Sequence, residues 1–157
     1  MVKINVVCVG KIKEKYFLDG ALEYIKRLSR FAKINVVEVK EKNIVNEPNE
    51  SEIAEILARE AEDIKKELKG YVVCCAIEGK KVSSKSFASL IEKAKNSHGE
   101  ITFVVGGSYG ICNSIKQACN EKISFSDMTF PHTLYRVMLL EQIYRAFTIL
   151  EDGKYHK

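Results

Sequence analysis

A serine set among glycines, an aspartate five positions before a histidine, and a tyrosine–histidine pair near the end are the residues of this 157-residue chain whose types and spacing can do chemistry. Gly106-Gly107-Ser108-Tyr109-Gly110 matches the G-x-S-x-G pattern, in which a sharp strand-to-helix turn presents a nucleophilic serine. A hydrolase built on Ser108 needs an Asp to orient a His, usually from well-separated strands. The downstream candidates, Asp127 and His132, are only five positions apart, and the chain is short for a hydrolase fold. The same bend is not a dinucleotide fingerprint, because its spacing is G-G-x-x-G and no acidic residue follows at the required distance. It also lacks the G-K-[ST] of a phosphate-binding P-loop. What remains is a glycine turn where backbone comes close to something, such as a small ligand.

Downstream lies a dense polar and aromatic stretch, Phe125-Ser126-Asp127-Met128-Thr129-Phe130-Pro131-His132. Pro131 suits the start of a helix, and the hydroxyls of Ser126 and Thr129 can serve free N–H groups there. Caps explain those hydroxyls singly but do not explain the whole loop facing the glycine bend. In the helix that follows, Glu141 and Arg145 stand at i,i+4 with the acid first, which favours an ion pair within the helix. His132 and Arg136 have the same spacing, but a charged His cannot attract Arg, so an anion or a partner better explains them. The last residues, Gly153-Lys154-Tyr155-His156-Lys157, put an aromatic, an imidazole and two lysines directly after that helix.

The elements that must position these groups alternate. Strands are expected at Lys3–Val9, Lys33–Val39, Tyr71–Ile77, Glu100–Val105 and from Ile123 to Phe125, with helices at about 16–30, 52–68, 84–96, 113–120 and from Pro131 onward. Ser51 is the expected cap of the second helix, and Glu78-Gly79-Lys80-Lys81 is expected to be a turn. The third strand, Y-V-V-C-C-A-I, has no alternation, as when both faces are covered in a parallel sheet. The pattern is an α/β fold in one domain, 1–157, with a mostly parallel sheet whose ligands bind beyond the carboxyl ends of the strands. The last helix is apolar nearly all round (Leu134, Tyr135, Val137, Met138, Leu139, Leu140, Ile143, Phe147), so a second subunit is expected to cover part of it.

Composition adds bounds. No run approaches the ~18 apolar residues of a membrane span, and Met1 to Gly10 reads as a first strand rather than a leader. Five cysteines without C-x-x-C spacing, three of them inside apolar runs, point to reduced thiols in the cytoplasm and to no metal site. A net charge of +4 permits an anionic partner without demanding one.

Taken together, these residues resemble the RlmH family, SPOUT-superfamily methyltransferases that modify a pseudouridine in 23S ribosomal RNA. Five ordered blocks carry the resemblance over essentially the whole chain: the opening strand with Val9-Gly10-Lys11, the F-V-V-G-G-S-x-G bend, the S-F-S-x-M-T-F-P-H loop, the R-V-x-L-x-E-Q-x-Y-R-A helix and the closing Y-H-K. The resemblance implies helices on both faces of the sheet, a C-terminal trefoil knot (otherwise nearly absent from proteins) and a homodimer. It implies S-adenosylmethionine held by Cys75, Gly106 and the loop Phe125, Ser126, Asp127, Met128, Thr129 and Phe130. Cys75 stands where relatives often carry Leu, which points to contact through backbone and apolar surface; Lys154 replaces a residue that is often small or proline. The implied reaction is methylation of N3 of the pseudouridine. His132, Tyr155 and His156 are candidates for handling the N3 proton, and Arg136 and Arg145 for phosphate or developing negative charge. The implied partner is 23S rRNA in the large subunit or the assembled ribosome, not DNA or a membrane, with Lys11, Lys13, Lys15, Lys80, Lys81, Lys154 and Lys157 as the expected RNA surface. A non-catalytic RNA-binding module of the same fold and a hydrolase using Ser108 stay open as alternatives.

Overall fold

The computed structural model describes residues 1–42 and 46–151; Lys154, Tyr155, His156 and Lys157 lie outside the described residues. In chain order the elements are β1 (Val2–Val9), α1 (Lys15–Leu28), β2 (Ala32–Val39), α2 (Glu50–Lys65), β3 (Tyr71–Lys81), α3 (Ser84–His98), β4 (Glu100–Val105), α4 (Asn113–Ala118), β5 (Glu121–Ser124) and α5 (His132–Glu151). The strands form one sheet in the order β2-β1-β4-β3-β5, and every pairing is parallel. Successive residues of a strand point to opposite faces, and the unbroken apolar run of β3 divides accordingly. Val73 joins the core under α1, α3 and α5, while Val72 and Cys74 join the core under α2 and α4.

Two local expectations are corrected. Asn49, not Ser51, caps α2: its side chain accepts from the Glu52 N–H at 2.9 Å while the Glu52 carboxylate accepts from the Asn49 N–H. The reciprocal bonds satisfy two donors at once, and Ser51 merely donates to the Asn49 side chain. The stretch Glu78-Gly79-Lys80-Lys81 is strand rather than turn. Cys75 and Lys80 both pair with Ile123, so the residues between them loop out and β3 then rejoins β5. A Cβ on Gly79 would sit 2.6 Å from the Ile123 nitrogen, so β5 passes too close for any side chain there.

The last helix is wrapped as its composition requires. No residue from 132 to 150 is fully exposed; Leu139, Leu140 and Ile143 are buried outright against α1 and α3. Phe31 stacks on Phe147 with ring centres 5.4 Å apart. Leu134, Val137 and Met138 are half-buried. The Glu141–Arg145 ion pair forms within the helix, at 2.7 Å.

Candidate functional site

At the carboxyl ends of β3, β4 and β5 the chain leaves a cavity of about 350 Å³. Three segments wall it: Cys75 to Glu78 where β3 loops out, the glycine bend after β4, and the β5–α5 loop. Each is a place where a strand stops pairing, so its backbone is free to turn toward a common centre.

The glycine bend is tight for an internal reason. A Cβ on Gly106 would lie 2.5 Å from the Gly110 carbonyl oxygen, so the bend folds onto itself, and a Gly110 N–H bond to the Gly107 carbonyl closes it. Gly110 differs: its φ of +89° requires glycine, and a Cβ there would meet no protein atom within 4 Å. It faces open space on the cavity lining. The β5–α5 loop is pinned by its own serines: Ser124 donates to the Ser126 carbonyl at 2.9 Å, and Ser126 Oγ accepts from the Met128 N–H at 3.0 Å.

Of the residues expected to hold a cofactor, Cys75, Gly106, Phe125, Ser126, Met128, Thr129 and Phe130 all line this cavity, as does His132, the first residue of α5. Asp127 is turned outward, paired with Lys81 at 2.5 Å. The back wall is uncharged. Burial pushes the Cys75 thiol up to about 12 and pushes the Tyr135 hydroxyl upward as well. Tyr135 stacks on Phe125, ring centres 4.8 Å apart.

Arg136 lies away from the cavity. Its guanidinium is 2% exposed and donates to the Glu38 carboxylate at 2.8 Å and to the Gly10 carbonyl at 3.1 Å. The anion that its spacing with His132 called for is therefore Glu38, at the end of β2. This bond fastens the first turns of α5, and so His132, to the carboxyl ends of β1 and β2.

Among the described residues, the serine pattern does not assemble a triad. Ser108 donates to Glu41 at 3.2 Å and Asp127 pairs with Lys81; neither bond involves His132. Glu78 and Lys116 also line the cavity, as an ion pair, and were not expected from the sequence. Reading Glu78 to Lys81 as a turn hid Glu78, and nothing in the spacing of α4 marks Lys116.

Sheet, crossovers and cavity define a parallel α/β protein with a cavity beyond the strand ends, where such sheets bind ligands. The family described as "Predicted SPOUT methyltransferase" matches residues 2–156. The chain is 47% identical to the "Ribosomal RNA large subunit methyltransferase H" of Caldicellulosiruptor saccharolyticus over 156 residues, covering 98% of this chain and 99% of that protein. It is 45% identical to the protein of the same name from Leuconostoc mesenteroides subsp. mesenteroides, with the same coverage. A solved structure, "The structure of a probable methylase family protein from Haemophilus influenzae Rd KW20", shares the fold at a TM-score of 0.58 and 12% identity, over 96% of this chain and 67% of that one. The chain belongs to the SPOUT methyltransferase family, among the proteins named ribosomal RNA large subunit methyltransferase H.

Proposed function

We propose that this protein transfers a methyl group from S-adenosylmethionine to large-subunit ribosomal RNA, and that the acceptor is N3 of a pseudouridine in the 23S RNA. The name borne by relatives that match it over nearly their whole length supports the RNA class. The observation that carries the reading is the convergence of the glycine bend, the β5–α5 loop and His132 on one cavity at the strand ends.

The residues present fit the donor. Gly110 opens onto free space, Ile111, Phe125 and Phe130 offer apolar area to a purine ring, and the Thr129 hydroxyl stands beside them for polar contact. When bound, the donor supplies a methyl already activated on a sulfonium, so most of the protein's work is alignment. Gly106, Gly110 and the loop residues Ser126, Met128, Thr129 and Phe130 would hold it, with Cys75 contributing apolar surface and backbone. N3 of the acceptor must lose a proton, and His132, on the same lining, is a candidate to accept it. Arg136 acts one turn away as a positioning residue, because its bonds to Glu38 and Gly10 set where α5 begins. Tyr155 and His156 remain candidates for the same proton.

The reading includes a C-terminal trefoil knot and a homodimer in the cytoplasm. The half-buried apolar side chains of α5 support a covering second copy, and sedimentation equilibrium checks the mass. The deciding experiment supplies labelled S-adenosylmethionine and ribosomes lacking the modification, then maps the RNA by mass. A methyl on a pseudouridine of the large-subunit RNA is expected. Donor binding without transfer to any RNA would overturn the enzyme reading in favour of a non-catalytic module.

A further inference from the structure

Among the described residues, large apolar side chains that remain well exposed are few, and three of them rim one opening. Ile77 on the looped-out part of β3 is 51% exposed, Tyr109 in the glycine bend 44%, and Met128 in the β5–α5 loop 73%. They come from three segments, yet all line the cavity at the strand ends. Singly, an exposed apolar residue is unremarked on any surface; gathered at the mouth of a pocket, they mark a ligand. The chemistry they share is narrow. An aromatic face, a branched aliphatic and a thioether suit a flat ring and offer little to an ion.

Two ring systems belong to the proposed reaction, that of the methyl donor and that of the RNA base. The inner wall, where Val105 and Ile111 are buried, is the enclosed part suited to the small molecule. The rim is the solvent-facing part, which a nucleotide still attached to a long chain can reach. Charge agrees with this. Lys80 and Lys81 follow the rim residue Ile77 on β3, both exposed; Lys81 is held by Asp127, and Lys80 adds positive charge for phosphates flanking a base. The geometry points to Tyr109, flanked by Ile77 and Met128, as a stacking shelf for an unpaired base of the RNA substrate. Single-stranded bases are commonly held on aromatic faces in this way. The inference rests on the RNA-methylation reading and adds to it a residue that selects the acceptor.

The test separates the two ring systems. In Tyr109→Ala, affinity for ribosomes lacking the modification, measured by co-sedimentation, falls about 5- to 150-fold, the range for losing one base–aromatic stack. Affinity for S-adenosylhomocysteine stays within about twofold, and Tyr109→Phe, which keeps the ring, stays near wild type on both measures. Ile77→Ala gives a smaller loss of the same kind, and its exposure keeps it from disturbing the fold should Tyr109→Ala do so. Loss of S-adenosylhomocysteine affinity in place of ribosome affinity would assign the rim to the donor and overturn the inference. Unchanged values for both ligands in both alanine variants would overturn it too. If wild type binds no S-adenosylhomocysteine and methylates no ribosome, the parent reading falls and takes this one with it.

Discussion

The two ends of the sheet use the same strands and differ in what fills them. Toward the amino ends, polar side chains answer one another. Asn5 donates to Glu100 and Thr102, Asn35 donates to Asn5, and Thr102 donates to the Lys69 carbonyl at 2.6 Å. Thr102 is fully buried there, with its partners in place. Toward the carboxyl ends the strands part, the bends turn outward, and a cavity rimmed by exposed apolar groups is left. Buried polar groups stabilise a fold only when paired. The closed end meets that condition from within, while the open end leaves apolar area and backbone that a ligand can complete. The paired polar network and the proposed ligand site thus lie at opposite ends of one sheet.

Glycines give the sharpest way to break the contrast. A Cβ on Gly70 would sit 2.1 Å from the Glu100 carbonyl oxygen, at a φ of +66°. Gly70→Ala is expected to cost about 3 kcal/mol or more by urea denaturation, with donor affinity of the folded fraction unchanged. Gly106→Ala, which collides with the Gly110 carbonyl, loses stability and donor affinity together. Arg136→Ala comes next. Breaking a buried ion pair costs about 3–5 kcal/mol, and the loss should fall at the lower end because Glu38 is 36% exposed and regains water. Methyl transfer should fall further than donor binding, because His132 loses its anchor while the cavity wall stays.

Thr102→Val sharpens the comparison from the closed side. It leaves Asn5 and the Lys69 carbonyl short of a partner, an expected loss of about 1–3 kcal/mol with unchanged kcat/KM for ribosomes. The smallest effect is alkaline. Tyr71 donates to Glu121 at 2.7 Å, and that bond first, then burial, pushes its hydroxyl up to about 12. The folded state therefore holds this proton more tightly than the unfolded chain, whose tyrosine titrates near about pH 10. The stabilisation is whole below that pH and is lost as pH rises toward 12. Thermal melts of Tyr71→Phe against wild type should diverge in neutral buffer and converge above it.

Much of this was legible in the residues. The unbroken run of β3 announced a sheet covered on both faces, and the glycine bend and the S/T/D loop announced a cavity where two strands end. The Glu141–Arg145 pair followed from helical spacing. What was not legible depended on distant partners. Glu38 lies 98 positions from Arg136, so no local pattern could say that the anion was internal. Gly79 looked like a turn because its need for glycine comes from β5, which the chain reaches only some forty residues later. Asp127 sat among cavity residues in sequence, yet Lys81 draws it outward. The Asn49 cap could have been found, since N-x-x-E is written plainly before α2.

The most direct test of the account is a titration of S-adenosylmethionine into the labelled protein, followed through its backbone amide resonances. Saturable shifts are expected to be largest from Gly106 to Ile111 and from Ser126 to Phe130, with Asn5, Asn35 and Thr102 unmoved. Shifts centred on the closed end, or none at millimolar donor, would contradict it.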